Sequence, residues 1–294
     1  MDIICANQWI KSVVVMKIEL FKIKLESLKK DQALNRFCDL MNKKTSSIVC
    51  TVNVEFIERA KQSERFKYIL NQKSSLNLID GTGIIWAYTL LNSKKPKINI
   101  LKQIYIIFQW LLSLIFIPIT IYIGKKYIPE RISGSDFVWD IAKMAAEKNW
   151  RIFLIGNKYG LDKNVAEKVS LKMQTSVYNL RICGVHNGGN DPKEDIEVCQ
   201  KIKKSGADLI FLGLGTPAQE EWLVRNLAKS GAKIGIGLGG TFDFIAGVQK
   251  RAPRWMQKIG LEWLFRLSQN PRRWRRQLIL PKFIFNVLKE RIRL

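Results

Sequence analysis

From about residue 135 onward, unbroken apolar runs alternate with stretches whose apolar residues recur every three or four positions. "WRIFLIG", "LRICGV", "ADLIFLGLG" and "AKIGIGLGG" read as strands buried on both faces. "DFVWDIAKMAAEKN", "LDKNVAEKVSLKMQ", "PKEDIEVCQKIKKSG" and "AQEEWLVRNLAKSG" read as amphipathic helices, the third closed by Gly206. The earlier chain keeps the same rhythm. "VVVMKIELFKI" reads as a strand and its continuation, about Leu28 to Met41 as a helix, and "SSIVCTVN" as a strand. From Val54 to Asn71, Phe56, Ile57, Ala60, Phe66, Ile69 and Leu70 predict one helix; "LNLI" is then a short strand stopping at Asp80, and a helix runs from about Thr82 to Leu91. The expectation is an α/β fold: a Rossmann-like parallel sheet with helices on both faces.

Two segments break the rhythm. Ile104 to Ile123, "IYIIFQWLLSLIFIPITIYI", is twenty residues without a charge. As a helix rising about 1.5 Å per residue it matches a bilayer core of roughly 30 Å. Pro118, Gln109, Ser113 and Thr120 weaken a simple span, and a helix buried in protein seldom stays uncharged all round for this length. Lys94, Lys95, Lys97 and Lys102 precede the segment, and Lys125 and Lys126 follow it, which favours both ends on the cytoplasmic side. A single span would also divide one sheet between two compartments. The expectation is therefore a monotopic or re-entrant element bent at Pro118, with a true span as the second reading and a subunit contact in a homo-oligomer as another use of the same surface. The second exception is the tail from Lys250, with thirteen Lys/Arg against two Glu and Trp255, Trp263, Phe265 and Trp274 interleaved. The domain expectation is a leader at 1–12, an α/β core at 13–249 carrying the apolar insert 94–127, and a basic helical appendage at 250–294.

Charge narrows the partners. Lys and Arg number 49 against 25 acids, a net +24, which calls for an anion: nucleic acid, anionic membrane or phosphorylated substrate. Trp with Arg at helical spacing suits a membrane interface, where each basic residue adds about 1 kcal/mol on anionic lipid. Nucleic acid is disfavoured, since no helix-turn-helix, zinc finger or RNP-like pattern occurs. Five cysteines without a CxxC argue against a disulfide frame or zinc site, and the single histidine, His186, leaves little for a His-based triad. The N-terminus shows no convincing signal peptide. The Lys/Ile/Asn bias suits an AT-rich bacterium, or a plastid if the source is an alga.

In a sheet of this kind ligands bind beyond the C-terminal strand ends. Four ends stand out: "CTVN" with Thr51 and Asn53; "LIDGTG" with Asp80; "FLGLGTPAQEEW" with Gly213, Gly215, Thr216, Pro217, Gln219 and Glu220; and "GIGLGGTFDFIAG" with Gly237, Gly239, Gly240, Thr241 and Asp243. Small residues there admit phosphate to backbone N–H groups, although one such end alone is often only a tight turn. Neither GxGxxG nor GxxxxGK[ST] is present, which disfavours a dinucleotide site and a P-loop. Without a dinucleotide fingerprint, a nucleotide-sugar epimerase or dehydrogenase cannot be assembled. Asp80 reads on base rates as a helix N-cap, and alternatively as a general base whose pKa an apolar cleft raises. "ERISGSD" offers Arg131 as a phosphate cation, or only a capped helix start at Ser135 or Asp136. No Asp-x-Asp occurs, so a metal-held nucleotide is not expected, and no cofactor is called for.

Taken together and in order, "TVN", "DGTGIIWA", "ERISGSD", "GLGTPAQEEW", "GLGGTFDFIAG" and "KRAPRWMQKIGLEWLFRLSQNPRRWRRQ" resemble the bacterial WecG/TagA/CpsF glycosyltransferases over roughly Val13 to Phe283. The resemblance implies transfer of an N-acetylmannosamine-type sugar from a UDP donor to a lipid-pyrophosphate-linked acceptor, with inversion, in cell-envelope polysaccharide synthesis. It implies Asp80 as the catalytic aspartate, Arg131 facing phosphate, and Thr51, Asn53 and Gln219 near the donor. Gly134, Asp136, Gly215, Glu220, Gly239, Gly240 and Asp243 lie in the same matched blocks and are candidate substrate contacts. Arg251, Arg254, Arg272, Arg273 and Arg276 match the family's appendage, which closes over the site at the membrane. Two departures stand out: about thirty residues inserted around 104–123, and Thr82 where an aliphatic residue is usual. The rival reading is a non-enzymatic protein that binds anionic lipid or nucleic acid through charge alone.

Overall fold

The computed structural model describes residues 16–94, 102–271 and 274–294. The expected leader, the first three valines of the opening strand, Lys95, Lys97, Arg272 and Arg273 lie outside the described residues.

The chain opens with β1 (Met16–Leu20) and β2 (Ile23–Ser27), paired antiparallel. The sequence reading of one continuing strand is corrected here. Phe21 and Lys22 sit at φ 50° and 64°, so the chain reverses in two residues. This is the geometry of a tight hairpin turn, but without the Asn-Gly that normally announces it. Asn71 holds the turn instead, its Nδ2 donating to Lys22 O at 2.8 Å and its Oδ1 accepting from Lys24 N at 3.0 Å.

Then follow α1 (Lys30–Met41), β3 (Ser47–Val52), α2 (Val54–Gln62) and α3 (Glu64–Tyr68). The single helix expected over Val54 to Asn71 is broken at Ser63. That residue is extended and its Oγ accepts from Phe66 N at 3.2 Å, capping α3, and a π-helical turn at Ile69–Lys73 ends the segment. Beyond it come β4 (Ser74–Ile79), α4 (Thr82–Leu91), α5 (Lys102–Ile115), α6 (Ile117–Gly124) and α7 (Gly134–Glu147). The alternation continues with β5 (Arg151–Asn157), α8 (Val165–Ser176), β6 (Arg181–Gly188), α9 (Asp195–Ser205), β7 (Leu209–Leu212), α10 (Ala218–Ser230), β8 (Ile234–Gly237) and α11 (Thr241–Ile245). The appendage holds α12 (Arg254–Lys258), α13 (Glu262–Gln269), α14 (Trp274–Gln277) and α15 (Ile279–Arg293).

The eight strands form one sheet in the order β1-β2-β4-β3-β8-β7-β5-β6, parallel except for the opening hairpin. Strand residues alternate between two cores. Cys50, Val52, Ile155, Ile210 and Leu212 face α2, α4, α10 and α15, whereas Val49, Leu78, Leu154, Phe211 and Ile236 face α1, α7 and α8. Helices thus cover both faces. In β8 the sequence Ile-Gly-Ile-Gly expresses this asymmetry. A Cβ on Gly235 would lie 2.2 Å from Leu223 Cδ2, and one on Gly237 would lie 2.4 Å from Gln219 Nε2. Helix α10 therefore presses directly on the strand backbone.

The uncharged segment is a bent pair: α5 and α6 meet at 98°. No single helix among the described residues is long and apolar enough to cross a membrane. The break falls at Phe116, two residues before the expected Pro118, which occupies the first turn of α6, where its missing N–H costs nothing. Helix α5 buries only Ile106, Trp110 and Ser113. Trp110 Nε1 donates to Ile284 O on α15 at 3.2 Å, and Trp86 Nε1 on α4 donates to Ser113 Oγ at 3.0 Å. Gly124 lets the end of α6 return onto α4, since a Cβ there would meet Thr89 Oγ1 at 2.3 Å. The outer side carries exposed Ile104, Phe108, Leu111, Ile115, Phe116, Ile119, Tyr122 and Ile123.

Candidate active site

Strands β4, β3, β8 and β7 are neighbours, so the four singled-out strand ends open on one side of the sheet. Above them the appendage folds back, leaving a cavity of about 370 Å³ between the sheet and α13–α15. A smaller inner recess of about 80 Å³ continues it; Asn53, Glu55, Asp80, Arg266 and Arg276 line both.

Asp80 ends the β4 run, and its N–H donates to Val52 O at 2.8 Å, extending the sheet pairing by one residue. Gly81 at φ 119° then starts α4, whose N-cap position carries no side-chain hydrogen bond. The cap reading is thereby corrected, because Asp80 does not cap its own helix. Its Oδ2 instead accepts from Gly134 N at 3.2 Å, at the start of α7. Gly134 is there because Thr51 Oγ1 would lie 3.0 Å from any Cβ. Burial in the cleft pushes the Asp80 carboxyl above the ordinary carboxylate value. Arg131 and the Gly134 hydrogen bond pull against that shift, Glu262 adds to it, and Arg266 opposes it. The result is a carboxylate readier to accept a proton than an exposed one, facing a cavity.

The cations around it are held by acids. Arg131 Nη1 lies 3.7 Å from Glu262 Oε2, and Arg266 Nη2 lies 2.8 Å from Glu262 Oε1 while its guanidinium stacks 4.4 Å from the Phe244 ring. Arg276 Nε donates to Glu55 Oε2 at 2.8 Å. Glu262 and Arg266 were missed in the sequence. Their only signal is an i,i+4 pair on one side of the amphipathic α13.

Other expected contacts have structural partners. Asn53 Oδ1 accepts from Glu55 N at 2.9 Å and Phe56 N at 3.4 Å, capping α2, so only its amide nitrogen is left for a ligand. Gln219 Oε1 accepts from Gly215 N at 3.2 Å and from Gly239 N at 3.0 Å, tying the β7 and β8 turns together at the recess floor. Both glycines have positive φ, 81° and 49°. Gly240 lines the recess beside them. Glu220 is fully buried and lines neither cavity. It accepts from Gln219 Nε2 at 2.6 Å, and burial pushes its carboxyl up to about 8. Asp243 lies on α11 beyond Gly240, outside the residues lining either cavity. Asp136 pairs bidentately with Arg251, Nη2 to Oδ2 at 2.7 Å, which fastens the start of the appendage to α7 and holds the Asp136 carboxyl below its usual value. Arg254 stands with Lys125, Arg131, Arg251 and Lys258 around a second, more open cavity of about 660 Å³ on the far side of Thr82. Arg272 and Arg273 lie outside the described residues.

A sheet-end cleft with a raised-pKa carboxylate, paired arginines and a glycine-floored recess suits group transfer on an anionic substrate. The sequence matches the profile described as glycosyl transferase WecG/TagA/CpsF family over residues 18–110 and 116–294. The chain belongs to this family. The two matched parts are separated at 111–115, inside the uncharged segment. Among its relatives, an N-acetylglucosaminyldiphosphoundecaprenol N-acetyl-beta-D-mannosaminyltransferase of Bacillus subtilis (strain 168) is 30% identical over 262 residues, 87% of each chain. The enzyme of the same name from Bacillus spizizenii is 28% identical, covering 85% of this chain and 81% of its own. That of Staphylococcus aureus (strain MW2) is 25% identical, covering 84% and 82%. This chain is accordingly a glycosyltransferase, and family membership sets aside the reading as a non-enzymatic binder of lipid or nucleic acid.

Proposed function

We propose that this glycosyltransferase moves an N-acetylmannosamine-type sugar from a UDP donor to GlcNAc carried on a lipid pyrophosphate, inverting the anomeric centre. The sugar and acceptor are those in the relatives' names. The observation that carries the chemistry is the Asp80 carboxyl, which faces the cavity, leaves its own helix uncapped and is raised in pKa by burial.

In the reaction, Asp80 takes the proton from the acceptor hydroxyl as its oxygen attacks the anomeric carbon. The bond from that carbon to the UDP oxygen breaks on the opposite face, and the electron pair leaves with UDP. Charge then grows on the departing diphosphate. Arg131, Arg266 and Arg276 line the cavity where it would leave, and Glu262 and Glu55 hold those cations in place before substrate arrives. A single preorganised donor at a developing anion contributes roughly 3–4 kcal/mol by analogy with an oxyanion hole. The recess floored by Gly215, Gln219, Gly239 and Gly240 takes the nucleotide end, where backbone N–H groups approach closely.

The α5–α6 elbow, with its exposed apolar side, and exposed Trp255, Trp263 and Trp274 on the appendage seat the enzyme on the cytoplasmic face of a membrane, as a peripheral or monotopic protein, beside its lipid-linked acceptor. A panel of UDP-sugars against a short-chain lipid-pyrophosphate-GlcNAc acceptor tests the reading. Transfer from UDP-N-acetylmannosamine well above UDP-GlcNAc and UDP-glucose is expected. No transfer from any UDP-sugar would overturn it.

A further inference from the structure

The cavity that holds Asp80 also has an apolar half. It is lined by Trp86 from α4, Leu114 and Ile117 from the α5–α6 elbow, and Leu280, Phe283 and Ile284 from α15. Phe283 is buried and packs 6.4 Å from the Trp86 ring, and the other aliphatic side chains pack against the same core. Apolar walls thus share one space with Asp80, Arg131, Arg266 and Arg276. Leu114 and Ile117 flank the bend itself, so the elbow forms part of the apolar wall. The residues immediately outside that bend, Ile115, Phe116 and Ile119, are exposed.

The geometry points to this apolar half as the channel for the first isoprenoid units of the acceptor's lipid chain, leading from the acceptor head near Asp80 to the bilayer at the elbow. The inference rests on the proposed reading and deepens it by assigning the lipid part of the acceptor to residues of α5, α6 and α15. The occupant follows from the two chemistries that share the cavity: the Asp80 carboxylate for a sugar hydroxyl, and aliphatic and aromatic walls for hydrocarbon. A free nucleotide sugar has no part that matches the second. On this account the elbow both touches the membrane and forms one wall of the substrate site, so binding energy from the chain holds the acceptor sugar at Asp80, and Arg131, Arg266 and Arg276 are left to the departing donor diphosphate.

The test uses the full-length enzyme and water-soluble acceptors that share a GlcNAc-diphosphate head and carry either a methyl group or three isoprene units, below their micelle concentrations. Wild type is expected to prefer the isoprenoid acceptor by about tenfold or more in kcat/KM, as burial of a few methylene groups implies. Leu114→Trp and Ile117→Trp, each shown to be folded by circular dichroism, are expected to cut the isoprenoid preference to less than about twofold. Equal rates on both acceptors in wild type, or a preference retained in both variants, overturns the channel while leaving sugar transfer standing. Loss of transfer with every acceptor in wild type instead overturns the underlying reading. Independently of activity, a photoreactive isoprenyl diphosphate is expected to label peptides containing Leu114–Ile117 and Ile279–Ile284, and labelling confined to other segments contradicts the assignment.

Discussion

Among the described residues of the appendage Arg291 is the most buried charge, fully enclosed on α15. Its Nη1 donates to Leu91 O at 2.9 Å. Its Nη2 faces Ser93 O at 2.7 Å, Ser93 Oγ at 2.9 Å, Lys94 O at 3.1 Å and Gln109 Oε1 at 3.1 Å. It therefore satisfies carbonyls left open at the C-terminal end of α4, where helix polarity also favours a cation, and it joins α4, α5 and α15. Nη2 has only two hydrogens, so its four contacts are shared and the group amounts to about three bonds. At roughly 1.5 kcal/mol each for a charged donor, that is about 4.5 kcal/mol. Against it stands the cost of burying a guanidinium whose Nε has no partner, a desolvation that also lowers its pKa. Allowing roughly 1.5 kcal/mol for that, Arg291→Met, which keeps the apolar stem, should destabilise by about 3 kcal/mol. Urea unfolding followed by circular dichroism measures this. A slope of about 3 kcal/mol/M places the expected drop in midpoint near 1 M. Proteolysis should cut the appendage of the variant first. A change below about 0.5 kcal/mol, or a gain in stability, would refute the balance of terms, showing that desolvation cancels the bonds.

Glu220 makes stability depend on pH. Its folded carboxyl stands near 8 against an ordinary 4.5, so between those values the unfolded chain has lost a proton that the fold keeps. Stability therefore falls as pH rises from about 5 to 8, by up to about 5 kcal/mol, and Glu220→Gln should flatten that fall in a pH series of unfolding midpoints. A Cβ on Gly235 meets Leu223 at 2.2 Å, so Gly235→Ala should cost about 1–3 kcal/mol by overpacking, read from the same midpoints. Because the Asp80 carboxyl is raised above 3.8 and must be ionised to act as base, kcat/KM should fall as pH drops through that raised value, at a higher pH than for an exposed aspartate. Arg131→Ala and Arg276→Ala should each lower kcat/KM by about 10²-fold in a transfer assay, with a smaller loss in donor affinity.

The parallel sheet was legible because its strands are apolar on both faces and its helices on one, a contrast that survives without knowing any contact. Asp80 was legible as a position because a carboxylate interrupts such a run, yet its role was not. Whether it caps α4 depends on the backbone at Gly81 and on the approach of Gly134 from 54 residues away. The β1–β2 hairpin was hidden because its turn residues, Phe21 and Lys22, are not turn formers, and Asn71 stabilises the turn from a distant helix end. Glu262 and Arg266 could not be placed from spacing alone, since α13 comes to stand over Asp80 only when the appendage folds back. Gln219 and Asn53 do line the strand-end recess, but their oxygens hold glycine turns and a helix end. Polar residues at strand ends are needed by the fold as well as by a ligand, and sequence does not separate the two demands.

The carboxyl of Asp80 is where fold and chemistry meet, and one comparison addresses it. Single-turnover sugar transfer by Asp80→Asn, with donor binding measured directly on the same protein, separates catalysis from structure, since the amide keeps an oxygen to accept from Gly134 N. The account predicts a rate lower by about 10²-fold or more with donor affinity within about threefold of wild type. Transfer by the asparagine variant at close to the wild-type rate would contradict it.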